Sequence, residues 1–101
     1  MIKNVSVIGA GTMGHGIAHV FARHGYRVSL YDSFESSIKA APIKMREELQ
    51  FMVDEDYIPQ SDVDKTLKNI TLYTDLEGAV KNADYVIEAI PERMDLKKDL
   101  F

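Results

Sequence analysis

Val5-Ser6-Val7-Ile8-Gly9-Ala10-Gly11-Thr12-Met13-Gly14 is a β-branched run that breaks into G-x-G-x-x-G and continues in the helical periodicity of Met13, Ile17, Val20 and Phe21. This order predicts a strand, a tight turn and a helix. Each glycine answers a separate demand: Gly9 the sharp turn, Gly11 the approach of backbone to a diphosphate, Gly14 the close packing of helix on strand. A diphosphate at the start of that helix meets first-turn N–H groups without intrahelical partners and the positive end of the helix dipole.

A second strand, Arg27-Val28-Ser29-Leu30-Tyr31, follows and ends in Asp32, 23 residues after Gly9. That spacing suits an acid that binds the adenosine ribose. An ionised Asp32 accepts hydrogen bonds from both ribose hydroxyls and repels a 2′-phosphate, and Ser33, Phe34, Glu35 and Ser36 offer no compensating cation. The expected cofactor is therefore NAD and not NADP. Between the strands, the helix is expected over 12–24, with Ile17, Val20 and Phe21 facing the sheet, Ala18 allowing close approach and Gly25 ending it in a left-handed cap.

Beyond Asp32, Ser33 is expected to cap a long helix with apolar positions Ile38, Ala41, Met45, Leu49 and Met52, kinked or restarted at Pro42. Asp54-Glu55-Asp56 and the following Tyr57-Ile58-Pro59-Gln60 read as a loop. Ser61-Asp62-Val63-Asp64 resembles a capping box opening a short helix, and Thr74-Asp75-Leu76-Glu77 another that starts a helix ending near Asn82. Ile70-Thr71-Leu72-Tyr73 alternates as a short third strand, and Tyr85-Val86-Ile87-Glu88-Ala89-Ile90 is the fourth, ended by Pro91. Alternating strands and helices predict an α/β fold, a doubly wound parallel sheet in order 3-2-1-4, truncated after the fourth strand.

Composition bounds the reading. A chain of 101 residues, 46% hydrophobic and 28% charged, makes one globular domain, 1–101. A net charge of −4 with interleaved signs offers no basic surface to nucleic acid or anionic lipid. There is no cysteine for a disulfide or thiolate metal site, and no apolar run of the roughly 20 residues that span a bilayer, which suggests a cytoplasmic protein. His15 and His19 stand four apart on the first helix, but no carboxylate or thiolate is placed with them by sequence, so no metal site is assigned. His19 is expected on the outer surface of its helix.

With those residues placed, the whole chain resembles the N-terminal, Rossmann-type NAD-binding domain of the 3-hydroxyacyl-CoA dehydrogenase family. The resemblance is carried by Val7-Ile8-Gly9-Ala10-Gly11-Thr12-Met13-Gly14-His15-Gly16-Ile17-Ala18, by Val86-Ile87-Glu88-Ala89-Ile90-Pro91-Glu92, and by the closing Leu96-Lys97-Lys98-Asp99-Leu100-Phe101. It implies that Gly9, Ala10, Gly11, Thr12, Met13 and Gly14 hold the diphosphate, that Asp32 takes the ribose, and that Ala89, Glu92 and Lys97 line the nicotinamide half. It also implies oxidation of a 3-hydroxyacyl-CoA to the 3-ketoacyl-CoA.

No CoA contact carries over, because the stretch after Asp32 includes Glu47-Glu48 and ends in Asp54-Glu55-Asp56 where fatty-acid-oxidation members have serine and lysine contacts. The segment from Ile90 to Lys98 is also similar to the lambda-crystallin, gulonate and carnitine dehydrogenase branch, whose hydroxy substrates carry no thioester. A nucleotide-binding module without turnover is a further alternative. In the family the catalytic histidine and its partners follow the position where this chain stops, so no catalytic residue is assigned. A catalytic and dimerisation domain is expected beyond Phe101. A chain ending there is expected to bind NAD without turnover, and its open fourth-strand edge, with apolar Leu96, Leu100 and Phe101, is expected to self-associate.

Overall fold

The computed structural model describes residues 3–89. Its elements run β1 (Asn4–Ile8), α1 (Thr12–Arg23), β2 (Arg27–Tyr31), α2 (Glu35–Asp54), α3 (Ser61–Lys68), β3 (Ile70–Tyr73), α4 (Leu76–Val80) and β4 (Tyr85–Glu88). The four strands form one parallel sheet in the order β3-β2-β1-β4, as the alternation of elements predicts.

Side chains alternate across the sheet. On one face Val5, Val7, Val28 and Leu30 are sealed by Ala18 and Ala22 of α1 and by Ile38, Ala41 and Met45 of α2 in a single buried cluster. On the other face the buried Ser6 hydroxyl donates to the Ala79 carbonyl, which docks α4 and satisfies a polar group that would otherwise be stranded. At the opposite end of the sheet, Asp84 accepts the amides of Lys3 and Asn4 at 2.8 and 2.9 Å, tying the start of β1 to the start of β4.

Val20 does not face the sheet; it is exposed. Among the α1 side chains described, Gly14, His15, Ala18, His19 and Ala22 are buried, flanked by half-buried Ile17 and Phe21. The line of small residues Gly14, Ala18 and Ala22, one turn apart, lets the helix backbone lie close to the strands and sets its rotation, and Val20 falls on the far side. Gly25, at φ +95°, ends the helix as predicted.

The caps differ from the sequence reading. Phe34, and not Ser33, is the N-cap of α2, because the Asp32 carboxylate already accepts the Phe34 amide and sets the helix one residue later. Gln60 precedes α3 without a side-chain cap, so Ser61 is its first residue and no capping box forms. Asp75, and not Thr74, caps α4 by accepting the Gly78 amide, and that helix ends at Val80. α2 passes through Pro42 without a restart, and Ile38 and Ala41 before it and Met45 and Leu49 after it are buried. Met52 is only half-buried. β4 ends at Glu88, although the Ala89 amide still donates to the Ile8 carbonyl at 2.8 Å. The expectations for Ile90, Pro91, Leu96, Leu100 and Phe101 fall outside the described residues. Among the described residues no helix is long and apolar enough to cross a membrane.

Candidate functional site

Strand register builds the site. Ile8 aligns with Tyr31 on one side and with Glu88 on the other, and Tyr31 aligns with Tyr73, so β1, β2 and β4 end level at one edge of the sheet. β1 connects onward to its left-hand neighbour and β4 arrives on its right, so the turn after Ile8 opens at the point where strand order reverses, where open α/β sheets bind ligands.

The turn is shaped by its own backbone. Gly9 has φ +104° and its amide donates to the Tyr31 carbonyl at 2.7 Å, bending the chain sharply off the strand. Gly14 is fixed by contact: a Cβ there would stand 1.5 Å from the Gly9 carbonyl oxygen and 3.8 Å from the Ala89 Cβ. The third glycine therefore lets the first turn of α1 sit against both the turn and the end of β4. Gly11, the N-cap of α1, is exposed and would meet no protein atom within 4 Å of an added Cβ. Space for a ligand lies on that side. Thr12 and Met13 form the first two positions of α1.

Asp32 leaves the end of β2 and closes the far wall. Its Oδ2 accepts the Ala10 amide at 2.9 Å and its Oδ1 the Phe34 amide at 2.8 Å. A carboxylate has about four lone-pair sites, so both oxygens keep capacity for ligand hydroxyls. Ala10 is buried and its amide is committed to Asp32, so it shapes the turn and does not present a donor to a diphosphate. Ala89 is buried beside Gly14 at the end of β4. Glu92 and Lys97 lie outside the described residues.

The sequence reading missed a carboxylate. His15 and His19 are both buried, and both Nε2 atoms meet Glu48 of α2, at 3.0 Å to Oε2 and 2.9 Å to Oε1. His19 is thus not on the outer surface. The signal was present: Ala41, Met45, Glu48 and Met52 share one helical stripe, so a glutamate stands on the packed face of α2. Among the described residues no three of His, Asp and Glu are disposed to hold a metal ion.

Burial holds the His19 pKa below its ordinary 6.5 against the opposing pull of Glu48, and Arg23 and His15 lower it further. Its Nδ1 is buried without a partner, which suits the neutral ring. A depressed folded-state value gives stability that is fully present above about pH 6.5 and is lost as pH falls through the folded value. Denaturant unfolding between pH 7.5 and 5 is expected to show this loss, reduced in His19→Gln; equal slopes in the two proteins would contradict it.

An open groove of about 510 Å³ lies along α1 beside Gly16, Ile17, Val20 and Phe21, with His19 and Glu48 on its wall. It is apolar and sits away from the turn after β1, so it does not answer to a diphosphate.

A doubly wound α/β domain with a glycine turn and an acid at the ends of adjacent strands is a dinucleotide-binding domain. Residues 4–101 match the family described as 3-hydroxyacyl-CoA dehydrogenase, NAD binding domain, and the chain belongs to that family, with NAD as its cofactor. It is 40% identical over 100 residues to 3-hydroxyadipyl-CoA dehydrogenase of Escherichia coli K12, covering 99% of this chain and 21% of the relative. It is 37% identical over 106 residues to the mitochondrial hydroxyacyl-coenzyme A dehydrogenase of Rattus norvegicus, covering 100% of this chain and 34% of that one. The crystal structure of (S)-3-hydroxybutyryl-CoA dehydrogenase from Ralstonia eutropha superposes with a TM-score of 0.86 at 30% identity, over 99% of this chain and 35% of the other. The chain thus spans 21% and 34% of the lengths of the two curated relatives.

Proposed function

We propose that the protein carrying this chain oxidises a 3-hydroxyacyl-CoA to the 3-ketoacyl-CoA, with hydride passing from the substrate carbinol carbon to NAD and the hydroxyl proton to a base. The observation that carries the reading is the level alignment of the glycine turn, Asp32 and Ala89 at one sheet edge. Bound NAD supplies the hydride acceptor. Gly9, Gly11, Thr12, Met13 and Gly14 form the diphosphate turn, with Ala10 holding it in shape through Asp32, and Asp32 takes the adenosine ribose. Ala89, Glu92 and Lys97 line the nicotinamide half.

None of the three histidines is placed as the base. His15 and His19 are turned into the α1–α2 interface, and His24 bonds the Val20 carbonyl at the other end of α1. We therefore assign catalysis, and dimerisation, to residues outside 1–101. A positioned base contributes roughly 10² to 10⁴ in rate, and orientation contributes more. Residues 1–101 alone are expected to bind NAD with no detectable turnover. The test is NADH oxidation with acetoacetyl-CoA by the intact protein and by residues 1–101. Turnover by the intact protein only supports the reading. Turnover near one per second by residues 1–101 places the base within them, and activity only on hydroxy acids without a thioester moves the protein to the lambda-crystallin, gulonate and carnitine branch.

Self-association belongs to the same proposal and is supported by the exposed Tyr85 and Val86 on β4, which pairs with β1 alone among the described strands. A cytoplasmic location is supported by the absence of cysteine.

A further inference from the structure

The Glu48 contact reaches the diphosphate turn through His15. The His15 ring lies in the first turn and a half of α1 and is buried. Its Nδ1 stands 2.8 Å from the Gly11 carbonyl and its Nε2 3.0 Å from Glu48 Oε2. A carbonyl only accepts, so Nδ1 donates to Gly11, and the Glu48 contact holds the ring at its other nitrogen. The same Gly11 carbonyl also accepts the His15 backbone amide at 3.1 Å. Two donors thus converge on the carbonyl of the peptide whose N–H, at Thr12, opens the helix. Hydrogen bonds to a peptide oxygen polarise its N–H, and that N–H belongs to the set a diphosphate would meet.

We propose that His15 is a positioning residue of the diphosphate site: Glu48 of α2 holds its ring against the Gly11 carbonyl, fixing the turn at the helix start. The inference rests on the dinucleotide reading above and extends it to two residues that neither the glycine motif nor Asp32 includes. Glu48 from α2 meets both the His15 and the His19 rings, and Arg23 of α1 acts on His19. Of the α3 charges, Asp64 is paired with Arg46 at 2.9 Å. Glu48 is shared between the two histidine rings, one carboxylate oxygen to each.

Titration of the purified protein with ADP-ribose and, separately, with adenosine tests the inference. ADP-ribose carries the diphosphate without a terminal phosphate that titrates near neutrality; adenosine carries none. His15→Ala is expected to weaken ADP-ribose about tenfold, the size of one lost charge-assisted bond, and to leave adenosine within about twofold. Glu48→Gln, at a side chain that is 44% exposed and tolerates exchange, is expected to weaken ADP-ribose several-fold in the same selective way. Equal ADP-ribose affinity in wild type and both variants overturns the inference while leaving the dinucleotide site standing. So does an equal loss for ADP-ribose and adenosine. No ADP-ribose binding by the wild type overturns the dinucleotide reading and this inference with it.

Discussion

Replacing Gly14 with alanine is expected to cost about 3 kcal/mol or more and to abolish NAD binding, whereas replacing Gly11 is expected to weaken binding alone. At position 14 the new Cβ would stand 1.5 Å from the Gly9 carbonyl oxygen, a backbone atom with no rotamer to move. Relief requires shifting α1 off β1 or reshaping the turn, the upper end of overpacking costs. Such a loss is a large part of a typical domain stability. At position 11 the φ of −69° is ordinary for alanine and no protein atom lies within 4 Å of the added carbon. Stability should stay within about 1 kcal/mol of wild type. The methyl group would instead stand where the diphosphate approaches, and NAD affinity should fall about 10- to 100-fold. Denaturant unfolding and NAD titration of both variants separate the two effects. A Gly11→Ala protein that binds NAD as wild type would remove the diphosphate from this turn.

Asp32→Ala is expected to erase the preference for NAD over NADP and to weaken NAD itself. An ionised carboxylate at the end of β2 repels a 2′-phosphate by about 4 kcal/mol for two unit charges 4 Å apart at an effective dielectric constant of 20. No cation follows in residues 33–36 to offset it. The same change frees the Ala10 and Phe34 amides, which Asp32 accepts in the folded chain, so stability should fall by about 1–3 kcal/mol as well. Paired titrations with NAD and NADP read the preference, and thermal unfolding reads the turn. Equal or tighter binding of NADP by the wild type would contradict the role given to Asp32.

The parts of this fold that were legible in sequence are those written in local periodicity. Four strands, their order and the glycine turn follow from β-branched runs, from residue spacing and from crossover handedness, all properties of nearby residues. What escaped depends on elements meeting. The rotation of α1 is set by Gly14, Ala18 and Ala22 against the sheet, which turned Val20 outward and His19 inward. The α2 cap moved because Asp32, serving the turn, had already taken the Phe34 amide. Glu48 was readable as a charge on a packed stripe, but its partners are 33 and 29 residues away on another helix, and only packing brings them together. The one positional surprise within the motif is Ala10, whose amide faces Asp32 and so binds the two halves of the site to each other.

Amide shift mapping of the ¹⁵N-labelled protein with NAD tests the central claim most directly. The account predicts saturable one-to-one binding, with the largest changes at residues 9–14, at Asp32 and Phe34, and at Ala89. Absence of shifts at NAD concentrations of about 1 mM, or a response centred on the Ile17, Val20 and Phe21 groove with the glycine turn unmoved, would contradict it.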